Sequence, residues 1–190
     1  MTLALSMVDD APPAPRLDLE EQAWSALYDE HFDFVWRSLR RLGVAVSSLD
    51  DAAQEVFLVA FRRQAEFEGR SSYKTWLFGI AWNVARGLSR SPSRREEPLT
   101  DVVADDGTIG PQEAAARGEA IRTLYAVLDE LEPERRVVFV MAELEEMSAR
   151  EIAEITGAPQ NTVYSRLRAA REDFEAALRR RRARDEWRRR

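Results

Sequence analysis

Cysteine is missing from this chain, and histidine occurs once, at His31. The first absence removes any disulfide framework and any thiolate metal site. The second leaves no histidine-built metal centre or catalytic cluster, so His31 reads as a helix-surface or core-edge residue. Lysine is scarce as well: Lys74 stands alone, and the other cations are arginines, whose planar fork suits phosphate. No stretch approaches the roughly 18 apolar residues of a membrane helix. The opening M-T-L-A-L-S-M-V-D-D has no basic start, and Asp9, Asp10, Pro12 and Pro13 follow a short apolar run, so it does not read as a signal peptide. A cytoplasmic location is expected. The patterns G-x-x-x-x-G-K-[ST], H-E-x-x-H and G-x-S-x-G are all absent, which disfavours an enzyme. Neither a metal nor a cofactor is expected.

What remains is a chain of 190 residues, 45% hydrophobic, enough for one or two small domains with a core. The net charge of −6 looks wrong for a partner of nucleic acid, but its distribution is uneven. Residues 1–116 carry 12 basic and 19 acidic side chains, residues 117–147 carry 4 and 8, and residues 148–190 carry 12 and 7. Positive charge gathers in the last segment, and local charge sets attraction to phosphate.

The periodicity is helical throughout and predicts an all-α protein of two small domains joined by a flexible linker. Residues 1–18 hold Pro and Asp without periodicity and are expected to be disordered. In 19–89 three helices fit. One spans Leu19–Leu42, with Trp24, Leu27, Phe32, Val35, Leu39 and Leu42 in a stripe and Gly43 as its stop. A second spans Leu49–Glu66, with Ala53, Phe57, Ala60 and Phe61 inward. A third spans Ser72–Ser89, with Leu77, Ile80, Ala81, Val84 and Leu88 inward. Residues 90–116, broken by Ser-Pro-Ser, Asp-Asp-Gly and Gly-Pro, read as the linker. A fourth helix fits Gln112–Leu131, overlapping the linker's end, and a fifth starts at Pro133. The second domain, 117–178, closes with two further helices. Residues 179–190 form an arginine-rich tail.

Ser148–Arg171 is the most telling stretch. Ser148 and Glu151 make an S-x-x-E capping box, Gly157-Ala158-Pro159 makes a tight turn, and a second helix begins near Asn161. Val163, Leu167, Ala170, Phe174 and Leu178 form its inward face. Thr162, Ser165, Arg166 and Ala169 lie on one outward strip, and Tyr164, Arg168 and Arg171 on the next. This is a helix-turn-helix whose second helix is shaped for a DNA groove, with Asn161 as cap and backbone N–H groups at Asn161 and Thr162 open to phosphate. An arginine bridging guanine there supplies roughly 1–3 kcal/mol of discrimination.

The stretch Glu151–Glu172, E-I-A-E-I-T-G-A-P-Q-N-T-V-Y-S-R-L-R-A-A-R-E, resembles the fourth region of sigma-70-type initiation factors, nearest to the extracytoplasmic-function group. Two upstream segments resemble that group's second region: L-D-D-A-A-Q-E-V-F-L-V-A-F (Leu49–Phe61) and F-E-G-R-S-S-Y-K-T-W-L-F-G-I-A-W-N-V-A-R (Phe67–Arg86). Order and separation match, and the resemblance covers roughly Leu19–Leu178. The family's first region and the full domain between the second and fourth have no counterpart.

The resemblance implies a transcription initiation factor with three surfaces. Asp51, Gln54, Glu55 and Phe57 would bind core RNA polymerase at its clamp helices, with the flap as a further contact. Without the resemblance, the acidic face reads as ordinary solvated surface. Phe67, Ser71, Ser72, Asn83 and Arg86 would hold an unstacked base of the −10 element. Arg90 continues the Asn83–Arg86 face, and Phe67 reads equally as stacking wall or core. Asn161, Thr162, Tyr164, Ser165, Arg166, Arg168 and Arg171 would read the −35 duplex. Tyr164 and Ala169 stand where relatives often carry basic residues, so the promoter preference at those positions is expected to differ; Asn161 stands where they usually carry Gly, and since Asn can also cap a helix no loss of fold is expected. Promoter DNA is the implied ligand and an anti-sigma factor the implied inhibitor, with no direct membrane insertion. The alternative is an autonomous helix-turn-helix regulator, and a mimic that sequesters the inhibitor is a third reading.

Overall fold

The computed structural model describes residues 16–89 and 110–188, and every regular element among them is helical. Helices α1 (Arg16–Arg41), α2 (Leu49–Arg63) and α3 (Tyr73–Ser89) pack on one another. Val35 and Leu39 of α1, Leu49, Ala53, Val56 and Phe57 of α2, and Leu77, Phe78 and Ala81 of α3 fill the space between them. Gly43 ends α1 at φ 100°. Its N–H bonds Arg40 O at 3.1 Å and that of Val44 bonds Leu39 O at 3.1 Å, the paired bonds of a Schellman cap that only a residue at ease with positive φ completes cheaply. Ser72 starts α3 by accepting from Thr75 N at 3.0 Å.

The second half is built from α4 (Pro111–Leu128), α5 (Pro133–Phe139), α6 (Ala149–Thr156) and α7 (Gln160–Arg188). Pro133 occupies the first turn of α5, and the Glu132 carboxylate accepts from the N–H groups of Glu134 and Arg135. A π turn, Val140–Leu144, extends α5. The reciprocal bonds of the Ser148–Glu151 capping box are both present and start α6. Gly157 ends α6 at φ 71°, turning the chain into α7. Val163, Ala170 and Ala177 are the most deeply buried residues of α7, which packs against α4, α5 and α6.

Several boundaries and burial expectations need correction. Helix α1 begins at Arg16, inside the expected disordered segment; residues 1–15 lie outside the described set, as does most of the expected linker. Helix α4 begins at Pro111, also inside that linker, because proline's fixed φ suits the first helical position. It ends at Leu128 rather than Leu131, although Leu131 is still buried. Helix α2 ends at Arg63, and Gln64–Glu66 tightens into a 3-10 turn. Phe61 and Leu88 are exposed rather than inward, since each lies in a last turn that overshoots the core. Helix α7 continues past Leu178 to Arg188, and there Arg180 and Arg181 both reach Glu130 and Arg181 also bonds Ala126 O at 3.1 Å.

The two halves touch. Arg136 of α5 is buried, and its guanidinium donates to Arg41 O at 2.5 Å and Arg40 O at 3.2 Å, two carbonyls at the open end of α1. The same group meets Asp129 at 2.8 Å. Burial pulls the Arg136 guanidinium down from its ordinary value, and Asp129 opposes the shift. Arg41 pairs with Glu145 at 2.5 Å, a carboxylate only 9% exposed. Burial pushes that carboxyl up in spite of Arg41, Arg37 and Lys74 nearby. On α3, a Cβ built on Gly79 would lie 3.7 Å from the Ile155 side chain of α6.

Candidate nucleic-acid interface

On the first two turns of α7, Asn161, Tyr164, Ser165 and Arg168 share an open face. Tyr164 is 58% exposed, and the Arg168 side chain reaches only Glu172 on its own helix, at 3.2 Å. Two expected contributors point elsewhere. Arg166 is half-buried and ion-paired with Glu134 of α5, and Arg171 forks onto Glu143 of the π turn at 2.9 and 2.6 Å. A third cross-helix pair, Arg135 with Asp173 at 2.6 Å, holds the Arg135 guanidinium above its ordinary value. Thr162 is half-buried, and its N–H is taken by Pro159 O at 2.8 Å, so it is not open to phosphate. Asn161 is no cap, because α7 already begins at Gln160 and Pro159 O receives both Thr162 and Val163 N–H groups.

On α3, Asn83 and Arg86 come together as expected. The Asn83 amide donates to Gly79 O at 3.0 Å and accepts from Arg86 at 3.3 Å, and the Arg86 guanidinium lies 6.0 Å from the Trp82 ring. Asn83 also lines a groove of about 350 Å³ between α2 and α3, with Glu55, Val59 and Arg63 opposite. Arg90 lies outside the described residues. Phe67 is half-buried, its ring 5.2 Å from Tyr73 and 5.3 Å from Trp76, and thus serves as packing with one face toward solvent. His31 stacks on the other side of this cluster, 5.4 Å from Tyr73, whose hydroxyl burial pushes up. Ser71 Oγ bonds Ser72 O at 3.4 Å, and Ser72 Oγ is occupied by the cap and by Thr75 Oγ1 at 2.9 Å.

On α2, Asp51, Gln54 and Glu55 are exposed on one side. Phe57 is not part of that surface: it is 3% exposed, against Trp24, Tyr28 and Phe32 of α1. The period of the helix turns position 57 inward once 53 and 60 face the core. Its place outside is taken by Leu58, to which the sequence gave no role, and by Phe61, which was expected inward; each is 51% exposed. Leu58 stands four residues after Gln54, so an apolar side chain on a polar face was the available signal. No group of three or more His, Asp or Glu among the described residues is arranged to hold a metal ion. No helix among them is long and apolar enough to cross a membrane.

Comparison with known proteins agrees with this division. The Sigma-70 region 2 model matches residues 27–95, and the Sigma-70 region 4 model matches residues 121–174. The RNA polymerase sigma-H factor of Pseudomonas aeruginosa is 33% identical over 139 residues, covering 67% of this chain and 72% of the relative. The ECF RNA polymerase sigma-E factor of Haemophilus influenzae is 30% identical over 167 residues, covering 82% and 87%. The chain belongs to the extracytoplasmic-function group of the sigma-70 family. Such sigma factors are regulatory initiation factors rather than catalysts. Among solved structures, CnrH in complex with the cytosolic domain of CnrY has a TM-score of 0.60 at 26% identity, covering 83% of this sigma factor and 88% of that chain. The sigma factor RpoE of Bartonella quintana, solved with the anti-sigma factor NepR, shares the fold with a TM-score of 0.60 at 19% identity. The region 4 match stops at Phe174, halfway along α7, so the remaining turns with their arginines are an addition to the matched module.

Proposed function

We propose that this sigma factor docks on core RNA polymerase through the exposed face of α2, opens the −10 element at α3 and reads the −35 duplex with α7. Asp51, Gln54 and Glu55 supply the charge and hydrogen bonds of the docking face, and Leu58 and Phe61 its apolar centre. Asn83 presents an amide to a base edge in the groove it lines, Arg86 answers a phosphate, and Phe67 with its ring neighbours offers a stacking wall. Ser71 and Ser72 shape the loop that leads into this face. On α7, Arg168, Ser165, Tyr164 and Asn161 meet the major groove. Thr162, Arg166 and Arg171 hold that helix on α5 and the π turn at the edge of the DNA contact. The two modules act as units over roughly 19–89 and 117–178.

The observation that carries this reading is the presence of all three faces in one chain, on the helices that match regions 2 and 4. The factor works in the cytoplasm without catalytic chemistry of its own. An anti-sigma factor is its inhibitor, as in the structural relative solved with NepR. Run-off transcription on genomic promoter fragments, with and without core enzyme, tests the proposal. Defined transcripts that need both components are expected. Tight site-specific duplex binding by the protein alone, with no stimulation of core, would instead make it an autonomous regulator.

A further inference from the structure

The open face of α7 offers few free groups. Arg166 and Arg171 spend their guanidiniums on Glu134 and Glu143. Ser165 Oγ donates to Thr162 O at 3.0 Å, so its one proton turns back into the helix. Arg168 is exposed and pairs with Glu172 on the next turn. Tyr164 stands in the middle of this face, 58% exposed, and its hydroxyl has no partner among the described residues.

What such a side chain recognises in a major groove follows from its two ends. The ring is an apolar plate, and the hydroxyl beyond it is a donor. Guanine and adenine show only polar edges in that groove, and cytosine shows an amino donor. Thymine alone shows an apolar group, the C5 methyl, beside an acceptor, O4. A tyrosine ring laid on the methyl, with its hydroxyl donating to O4, satisfies both. A cation at the same place would seek the paired acceptors of guanine instead.

The neighbours frame that base. Asn161 lies one turn before Tyr164 and Arg168 one turn after, about 4.5 and 6 Å away along the axis at ~1.5 Å per residue. Base pairs stack at ~3.4 Å, so the three side chains meet bases within one short run. An asparagine amide matches adenine there, and an arginine fork matches guanine.

We propose that Tyr164 is a specificity residue of the −35 contact, reading a thymine through its C5 methyl and O4 between the bases met by Asn161 and Arg168. This rests on the proposed assignment of α7 to the −35 duplex. The contact selects a base without adding charge, so it shapes promoter choice rather than general attraction to DNA.

Uracil tests this, because it differs from thymine only in lacking the methyl. Holoenzyme assembled from core enzyme and the full chain is titrated on duplex fragments of a promoter that it transcribes. Each −35 thymine of either strand is replaced in turn by uracil. One replacement is expected to weaken binding about fourfold, the worth of one buried methyl. Tyr164→Phe keeps the ring and should keep that penalty. Tyr164→Ala should abolish it, so that the thymine and uracil duplexes bind alike. Circular dichroism checks that both variants fold, as an exposed position leads one to expect. The assignment is overturned by a −35 element without a sensitive thymine, by a penalty that survives Tyr164→Ala, or by one that Tyr164→Phe removes. Failure of the sigma-factor reading looks different: the unaltered protein with core enzyme would give no defined transcript, and both readings would fall together.

Discussion

Glu134 of α5 holds Arg166 of α7, so an arginine expected to face DNA also fastens two helices together. Arg168, two residues on, has no cross-helix partner among the described residues and pairs with Glu172 of its own helix.

The two arginines therefore separate in a stability assay. Arg166→Ala is expected to cost up to about 1 kcal/mol of folding stability, the range of a partly exposed ion pair, along with some −35 recognition. Arg168→Ala should leave the melting temperature unchanged and cut use of −35-dependent promoters about tenfold, the loss of one good groove contact. Thermal unfolding beside transcription from promoters with and without a −35 element checks both. Equal melting temperatures with equal promoter defects would erase the distinction.

A second contrast lies on α2. Leu58→Ser removes an exposed apolar group and should weaken core binding about tenfold or more, with folding intact. Phe57→Ala removes a buried ring and should cost roughly 3–5 kcal/mol of stability. Affinity for core measured on folded protein, beside chemical denaturation, separates the two; normal core binding by Leu58→Ser would take that residue out of the docking face.

Glu130 anchors the outer turns of α7. The Arg180 bond, with Arg181 beside it, holds its carboxyl below the usual range. A lowered folded-state value means the clamp is complete above the ordinary carboxylate pKa and is lost as pH falls through the folded-state one. Glu130→Gln should mimic the acid form at neutral pH, speeding amide exchange in residues 179–188 while 161–171 stay protected. Unaltered exchange in the outer turns would show that apolar packing alone holds them.

Position 79 offers a check on the packing between the halves. Gly79→Ala places its methyl at ordinary contact distance from Ile155 and should raise α3 stability by up to about 1 kcal/mol with that contact kept. Thermal unfolding reads the gain, and a lowered melting temperature would mean that the methyl is crowded there.

Much of this was legible beforehand because it is local. The Ser148–Glu151 box, Gly157, Gly43 and Pro133 announce themselves in a few residues, and each fixed an end where the sequence placed it or one residue away. The inward stripe of α7 followed from spacing alone. What escaped depends on partners distant in sequence. Nothing near Arg166 or Arg171 names Glu134 or Glu143 as their counter-ions, and the π turn that positions Glu143 has no sequence signature. Nothing near Arg136 in the sequence foretells its burial, which arises from the end of α1, 95 residues away.

That junction has an energetic character of its own. The groups that join the halves include the guanidiniums of Arg41 and Arg136, the Glu145 carboxylate and two peptide carbonyls, and each regains water when the halves part. Charges this enclosed are screened little by bulk salt, so the seam should hold across the ordinary range of ionic strength and part only where new partners replace its hydrogen bonds.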